Sequence, residues 1–165
     1  MFDNLERASL TGGPSANSLI ATGFNGSVEL YGMAGNDLLR GTANDDRISG
    51  GLGNDKIFGG RGNDFLWGDE GVDMFYFDGT NDADDLRLVR DSAVMGYFNR
   101  YQLGFDQLQE QDEIHYDSFD KVEIRALNGD DQINVDLAFA ITGIVNGGDG
   151  LDSCVAPSSW TKISC

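Results

Sequence analysis

A nine-residue period is the feature that most constrains the fold of this 165-residue chain. From Gly32 to Tyr76 the sequence repeats one nine-residue unit five times, with glycines concentrated in its first half. Position six is always aspartate, and the five residues are Asp37, Asp46, Asp55, Asp64 and Asp73. Position eight is always large and apolar, and the five residues are Leu39, Ile48, Ile57, Leu66 and Phe75. A helix is excluded, because its apolar residues recur every three or four positions.

The unit predicts a tight turn followed by a very short strand. Positions seven to nine fit a strand whose central side chain points inward while its two neighbours point outward. Positions one to six form the turn, in which glycine allows positive φ and close backbone approach. Two units complete one coil, so alternate units stack with their strands about 4.7–4.9 Å apart. The sequence therefore predicts an all-β fold, a right-handed parallel β-roll or β-helix solenoid.

Stacking of alternate units predicts two rows of carboxylates. One row contains Asp37, Asp55 and Asp73, and the other contains Asp46, Asp64 and Asp82. Like charges at this spacing repel by roughly 1 kcal/mol per pair in water, and by more where water is excluded. A bound divalent cation would reverse this, and calcium takes its oxygen ligands from carboxylates and backbone carbonyls. The alternative is a solvated acidic turn face in a metal-free solenoid.

These units resemble the repeats-in-toxin (RTX), or hemolysin-type, calcium-binding nonapeptide repeats, whose pattern is Gly-Gly-x-Gly-x-Asp-x-apolar-x. Two units, Gly50–Phe58 and Gly59–Trp67, match that pattern strictly. The resemblance implies several Ca²⁺ ions held between the turns, and a secreted, extracellular or cell-surface bacterial protein. The implied ligands are the six aspartates of the two rows, the side chains of Asn36, Asn54 and Asn63, and the turn residues Gly41, Gly50, Gly53, Gly59, Gly62 and Gly68.

The pattern weakens at both ends of the run. Gly23–Tyr31 keeps an apolar residue at position eight but has Val28 at position six, so this unit should stack without binding metal. Phe77–Asp85 supplies Asp82 at position six but has Asp84 at the apolar position, so we expect it to end the first run. Terminal repeats of a solenoid are commonly atypical because they cap it.

The second half of the chain leaves the nine-residue period but still alternates apolar and polar residues, as half-buried strands do. Two degenerate turns reappear there and place Asp131 and Asp152 at position six, so both are further candidate calcium ligands. The predicted organisation is one continuous solenoid domain. Residues 1–31 form N-terminal capping rungs, 32–85 the nonapeptide β-roll, and 86–165 an irregular β-helical continuation with a C-terminal cap.

Residues 91–112 form the least regular stretch and are rich in aromatic side chains. Two interpretations remain open for them. The aromatic side chains form an exposed patch for a partner, or they plug an open coil and cover exposed strand edges. We favour the plug, because an interrupted solenoid needs apolar cover.

Charge and hydropathy limit the possible partners. The net charge of −17 excludes nucleic acid as a default partner and argues against anionic membrane surfaces. No apolar run approaches the roughly 20 residues needed to span a bilayer, so we expect no membrane insertion. Calcium is the expected partner. Carbohydrate and other domains of a longer parent chain are further candidates.

Cys154 and Cys165 lie near the C-terminus, and we expect them to form a disulfide that clamps the end of the solenoid. The alternative is two free thiols. A disulfide requires an oxidising compartment, which agrees with calcium sites adapted to extracellular calcium. Residues 1–20 lack a charged segment followed by an apolar core, so no signal peptide is visible. Three explanations remain open: the mature protein was trimmed, it uses a C-terminal export signal carried elsewhere, or this chain is a piece of a longer protein. We favour the last, because residues 1–6 begin abruptly in a strand-like segment.

The sequence does not predict an enzyme. Its one histidine, His115, lies between Ile114 and Tyr116 and should point away from these apolar neighbours into solvent. The sequence contains neither a Gly-x-Ser-x-Gly elbow nor the Gly-Lys-Ser/Thr ending of a phosphate loop. A carboxylate pair for glycoside hydrolysis stays open, because the chain has 28 acidic residues.

Two functions follow from this sequence. The first is a calcium-binding module that folds on binding calcium and acts as a structural scaffold of a secreted or cell-surface bacterial protein. The second is a calcium-dependent recognition or adhesion module that binds a carbohydrate or a surface through residues 86–126. Exposure of Tyr97, Arg100, Tyr101 and Tyr116 on one face would favour recognition, and their burial would favour the scaffold.

Overall fold

The chain folds into two facing β-sheets. The computed structural model describes residues 7–80, 84–90, 95–102, 109–117, 120–136 and 142–165. These ranges contain sixteen strands and no helix, so none of their segments is a membrane-spanning helix. The strands are β1 (Arg7–Thr11), β2 (Ser18–Ile20), β3 (Ser27–Ala34), β4 (Leu38–Arg40), β5 (Arg47–Leu52), β6 (Lys56–Phe58), β7 (Phe65–Glu70), β8 (Met74–Asp78), β9 (Asp84–Arg90), β10 (Met95–Gln102), β11 (Gln109–Asp117), β12 (Lys121–Arg125), β13 (Gln132–Val135), β14 (Thr142–Asn146), β15 (Ser153–Val155) and β16 (Thr161–Ile163).

The first eight strands alternate between the two sheets, so each coil contributes one strand to each. The nine-stranded sheet has the order β1-β3-β5-β7-β11-β10-β9-β13-β15, and the seven-stranded sheet has the order β16-β14-β12-β8-β6-β4-β2. Neighbouring strands of the repeat run are parallel, and Leu39 pairs with Ile57, which pairs with Phe75. The register therefore advances by two nine-residue units per coil. This confirms the predicted β-solenoid.

The core lies between the sheets and consists of the inward position-eight side chains. In the repeat run these are Leu30, Ile48 and Leu66 on one sheet and Leu39, Ile57 and Phe75 on the other. All six side chains are at most 1 % exposed. Val28 is also buried and stacks in the row as expected for a unit without aspartate. Each coil therefore gains its apolar burial only by stacking on its neighbours.

The second half is not a simple continuation of the coil. In the nine-stranded sheet, β9, β10 and β11 are antiparallel to one another and lie between β7 and β13. In the other sheet, β12 stacks directly on β8, with Val122 beside Phe75. The sequence of β9 to β11 lacks the repeated glycine-rich turns that return the chain to the opposite sheet after each short strand. Its longer strands pair as a meander within one sheet instead.

Parallel stacking resumes after this insertion. Strands β12, β14 and β16 extend the seven-stranded sheet, and β9, β13 and β15 extend the nine-stranded sheet. Ile133 lies beside Leu86 in register, and both side chains are buried. The strands that follow Asp131 and Asp152, β13 and β15, are parallel neighbours in the nine-stranded sheet.

The described side chains of the aromatic stretch favour the plug. Phe98 is 2 % exposed, and its ring stacks on Phe77 with centroids 4.1 Å apart. Arg100 is also buried. The side chains of Tyr97, Tyr101, His115 and Tyr116 lie outside the described part of the structure, so the exposure predicted for His115 stays a prediction.

A disulfide closes the C-terminal end, as the sequence predicts. Cys154 and Cys165 are bonded, with their Cα atoms 5.6 Å apart. Trp160, in the loop between them, is 5 % exposed, and its ring lies against Gly143, where a Cβ atom would overlap it. The indole and the disulfide together cover the last coil.

The inward and outward assignment can be tested with adjacent residues of β6. Ile57→Ala should lower the free energy of unfolding in calcium by roughly 2–4 kcal/mol, because buried surface is lost and a cavity remains. Lys56 is exposed, so Lys56→Ala should change it by about 0.5 kcal/mol or less. Urea unfolding followed by circular dichroism measures both. Equal losses would show that the register is wrong.

Candidate metal centre

The position-six aspartates form continuous rows that are hydrogen-bonded through the backbone. The amide of Asp37 donates to Asp55 Oδ1 at 2.7 Å, and the amide of Asp55 donates to Asp73 Oδ1 at 2.8 Å. In the other row, the amide of Asp46 donates to Asp64 Oδ1 at 2.9 Å. All five aspartates are at most 2 % exposed. The structure therefore brings together the two predicted rows within the repeat run.

The second carboxylate oxygen has no hydrogen-bond donor in most of these residues. Oδ2 is buried without a hydrogen-bond partner in Asp37, Asp55, Asp64 and Asp73. An unsatisfied buried polar group costs about 1–3 kcal/mol, and more when it is charged. Rows of such oxygens therefore need a positive charge beside them.

Glycine at position one leaves open the point next to this second oxygen. A Cβ atom built on Gly50 would overlap both Asp55 Oδ2 and the backbone oxygen of Gly68. The same arrangement recurs at Gly32, with Asp37 Oδ2 and the oxygen of Gly50, and at Gly41, with Asp46 Oδ2 and the oxygen of Gly59. A carboxylate oxygen and a carbonyl oxygen of the next coil thus converge on one point. At Gly32 and Gly50, where the carboxylate oxygen has no hydrogen-bond partner, this pair of oxygens suits a hard cation.

The arrangement fits calcium better than a metal that needs several side-chain ligands. Within the described ranges, no three His, Cys, Asp or Glu side chains gather around one point. A cation in the turns must therefore take most of its ligands from backbone carbonyls, as calcium can. The oxygens of Gly50, Gly59 and Gly68 lie where the sequence predicts ligands. The ligand role of the Gly41 oxygen stays a prediction.

The other predicted ligands have structural contacts in the turns. Asn36 Oδ1 accepts from the amide of Asn54 at 2.8 Å, and Asn54 Oδ1 accepts from the amide of Val72 at 2.9 Å. The amide of Asn63 joins the equivalent row by donating to Asp45 Oδ1 at 2.9 Å. These position-five bonds hold successive turns in register. As calcium ligands, the three asparagines stay predictions.

The position-four glycines are required by backbone conformation. Gly53 and Gly62 have φ of +122° and +97°, in the region that favours glycine. A Cβ atom on Gly53 would also overlap the backbone oxygen of Gly35 in the previous coil. These contacts explain both glycines without a metal, so their ligand role stays a prediction.

Two members of the Asp37 row are missing from the sequence prediction. The amide of Asn17 donates to Asp37 Oδ1 at 2.6 Å, so Asn17 takes position six in the coil before. The amide of Asp73 donates to Asp120 Oδ2 at 3.1 Å, so Asp120 extends the row at the other end. Matching positions six and eight alone would find both, because Leu19 and Val122 follow at the correct spacing.

Thr42 changes the site at Asp46. Its amide donates to Asp46 Oδ2 at 2.6 Å, and its hydroxyl lies 3.1 Å from both carboxylate oxygens. Threonine here replaces the second glycine of the unit. It supplies the donors that the other aspartates lack, so Asp46 depends least on a cation.

The predicted register beyond Asp78 is wrong. The strand beside β7 is β11, so the expected row of Asp46, Asp64 and Asp82 does not follow the strand order. Asp82 itself lies outside the described residues. In β9, Asp85 pairs with Gln132, which places Asp84 in register with Asp131 and not at an inward apolar position. Leu86 takes that inward position.

Asp131 and Asp152 form a third row near the C-terminus. The amide of Asp131 donates to Asp152 Oδ1 at 3.0 Å, as in the repeat run. The amide of Leu151 donates to Asp130 Oδ1 at 2.9 Å, which reproduces the position-five bond. The two predicted turns are therefore built like those of the repeats.

Burial raises the pKa of four aspartates in the two rows of the repeat run. It raises the pKa of Asp64 to about 8 and that of Asp73 to about 6, from an ordinary value of 3.8. In each case a backbone amide lowers the pKa and a neighbouring carboxylate adds to the increase. Burial also raises the pKa of Asp46 and Asp55. A proton can therefore neutralise these groups when no cation does.

Comparison with known proteins agrees with this geometry. The family model of the RTX calcium-binding nonapeptide repeat matches the chain in four overlapping copies, at residues 11–48, 22–57, 31–66 and 49–84. No curated protein and no solved structure matches the chain. The first matched copy includes the coil of Asn17, which the glycine pattern alone does not reveal.

Removing a carboxylate charge should matter most where the carboxylate has no other donor. Asp55→Asn keeps the size of the side chain, and we expect calcium affinity to fall by more than about tenfold. Asp46→Asn should have a smaller effect, because Thr42 already donates to that carboxylate. Calorimetric titration with calcium measures both. Equal losses would contradict the different environments of the two residues.

The raised pKa values predict proton release on calcium binding. A carboxyl group whose pKa is raised on folding stabilises the fold below its unfolded pKa of 3.8, and this contribution is lost as the pH rises through the folded pKa. For Asp73 this loss of stability should extend up to a pH of about 6, and for Asp64 up to a pH of about 8, which are their folded pKa values. In chelator, acidification from alkaline pH should therefore favour the folded state.

Calcium titration near neutral pH should then displace protons. Titrations in two buffers of different ionisation enthalpy should give different heats. Identical heats in both buffers would show that these carboxyl groups are ionised before calcium binds.

Proposed function

Residues 11–84 of this chain belong to the RTX calcium-binding nonapeptide repeat family, and on this premise we propose a calcium-folded scaffold of a secreted or cell-surface protein. The observation that carries the proposal is the row of buried Oδ2 atoms without donors beside turn carbonyls. Calcium in the turns would supply the missing positive charge. The chain's own carboxylates and glycine carbonyls would hold it.

The energetics support folding on calcium. A net charge of −17 makes the chain repel itself, and the rows concentrate that repulsion. A site that binds only the folded state contributes about 1.4 kcal/mol at ten times its dissociation constant. Several such sites together approach the 5–15 kcal/mol stability of an ordinary domain. Calcium can therefore decide whether the solenoid is folded.

A location outside the cytosol is supported by two features. The Cys154–Cys165 disulfide forms and persists in oxidising compartments. Calcium-dependent folding suits extracellular modules, whose sites work at high calcium concentration. Both features fit a module that stays unfolded where calcium is scarce and folds after export.

Scaffolding is favoured over recognition by the side chains described in β10. Recognition through residues 86–126 needs an exposed face that includes Arg100, yet Arg100 is buried. Phe98 stacks on Phe77 inside the core, so its ring is not available at the surface for a partner. We do not propose an enzymatic role, because the sequence contains one histidine and no nucleophile motif that we can identify.

Removal of calcium should unfold the chain. We expect the far-ultraviolet circular dichroism of the chelated protein to lose most of its β signal near neutral pH, and millimolar calcium to restore it. Magnesium is the matched control, because its strict octahedral geometry suits this carbonyl-rich site poorly. A spectrum and melting temperature unchanged by chelator would overturn the proposal.

A further inference from the structure

The C-terminal turn has an unsatisfied carboxylate oxygen outside the residues matched by the repeat family. Asp152 Oδ1 accepts from the amide of Asp131, whereas Oδ2 is buried without a hydrogen-bond partner. The family match ends at residue 84. This turn therefore repeats the electrostatic problem of the repeats in a different part of the chain.

The carbonyl that faces this carboxylate belongs to the last residue but one. A Cβ atom built on Gly147 would overlap both Asp152 Oδ2 and the backbone oxygen of Ser164. Asn146 pairs with Ile163, so Ser164 lies in register with Gly147. In the repeats the equivalent oxygen comes from a glycine in the middle of the solenoid. Here it comes from Ser164, next to Cys165 of the disulfide.

Few contacts hold that carbonyl in place. Among the described strands, β16 pairs with β14 alone, and its three residues are exposed. The amide of Gly147 donates to the oxygen of Ile163 at 3.0 Å, which is the last backbone bond of the pair. Beyond it, Ser164 has a left-handed φ of 49°. A three-residue edge strand of this kind frays readily.

The disulfide holds the Ser164 carbonyl close to the Asp152 carboxylate. Cys165 directly follows Ser164, and Cys154 lies two residues after Asp152. Their bond links β15, which directly follows Asp152, to the segment that contains the Ser164 carbonyl. An open cavity beside the bond is lined by Gly148, Asp149, Gly150, Leu151, Asp152, Ser164 and Cys165.

We propose that the Cys154–Cys165 disulfide controls a terminal calcium site made by the Asp152 carboxylate and the Ser164 carbonyl. The inference rests on the proposed calcium binding of the aspartate–glycine turns. Reduction by a dithiol transfers two electrons and two protons to the two sulfur atoms, giving two thiols, while the dithiol becomes a disulfide. Freed from Cys154, residue 164 leaves the carboxylate, and the site loses its carbonyl ligand.

Thermodynamic linkage makes the effect reciprocal. If the disulfide raises calcium affinity at this site by some factor, calcium must stabilise the disulfide by the same factor. Coupling between two sites is typically 5–150-fold. A disulfide that only restrains the chain end would show no such dependence on the Asp152 carboxylate.

The test equilibrates the full chain with mixtures of reduced and oxidised dithiothreitol, with calcium or with chelator. Alkylation and mass spectrometry give the fraction of Cys154–Cys165 that is reduced. We expect calcium to shift the wild-type equilibrium toward the disulfide by at least about fivefold more than that of Asp152→Asn. Lys56→Ala, which leaves every proposed calcium ligand in place, is the control and should keep the wild-type shift. An equal shift in wild type and Asp152→Asn would overturn the inference.

Calcium titration of the paired variant Cys154→Ser with Cys165→Ser supplies the second measurement. Loss of the disulfide should weaken one site about 5–150-fold, and Asp152→Asn should then lower the affinity of that site by a smaller factor than it does in wild type. Unchanged affinities at every site would overturn the coupling. If the paired variant does not fold, the redox equilibrium still decides. Failure of the proposed function would give a different result in the calcium titration. Wild type would then bind no calcium, and Asp55→Asn would not differ from wild type.

Discussion

The structure depends on one electrostatic conflict: the stacking that buries the core also buries identical carboxylates side by side. Ile57 enters the core only if its coil lies in register with the coils before and after it. The same register places Asp55 between Asp37 and Asp73. Apolar burial and like-charge repulsion therefore increase together with every added coil. Neutralising the carboxylates would remove this conflict, which is why the proposed function places calcium in the turns.

The repeat run was predictable because a solenoid is nearly one-dimensional. Each coil contacts only its neighbours, so a fixed spacing in sequence becomes a fixed neighbour in space. That is why the burial of Leu39 and Phe75 and the contact of Asp55 with Asp73 follow from counting residues. The ligand role of individual oxygens does not follow in the same way. The position-five bonds of Asn36 and Asn54 show that an exposed side-chain oxygen in a turn can accept a hydrogen bond from a backbone amide instead of binding a metal ion.

Prediction failed where the spacing between neighbours is long or irregular. Asp120 stacks on Asp73 from 47 residues away, across an antiparallel insertion that no local period reveals. Alternation of apolar and polar residues identifies the strands of that insertion, but it is the same for parallel and antiparallel pairing. Asp84 was misplaced for a related reason, because the nine-residue count was carried beyond Asp78, where the chain no longer follows it. Asn17 was missed because the search required charge at position six, whereas Asn17 joins the row through its backbone amide, which donates to Asp37 Oδ1.

The second carboxylate oxygen has a different environment at Asp46, Asp64 and Asp55: donors from the chain, a proton, and a place for a cation. At Asp46 the amide and hydroxyl of Thr42 donate to it, so a neutral side chain replaces the second glycine of the unit. At Asp64, burial raises the pKa to about 8, so a proton can occupy the group near neutral pH. At Asp55 neither a neighbouring hydroxyl nor so large a shift is present, and the oxygen faces the carbonyl of Gly68. Position two separates Asp46 from the others, because Thr42 supplies donors there, whereas Gly51 and Gly60 supply no side chain at Asp55 and Asp64. Asp55 and Asp64 have the same residues at positions two and six, so the larger pKa increase at Asp64 follows from its deeper burial and not from the repeat pattern.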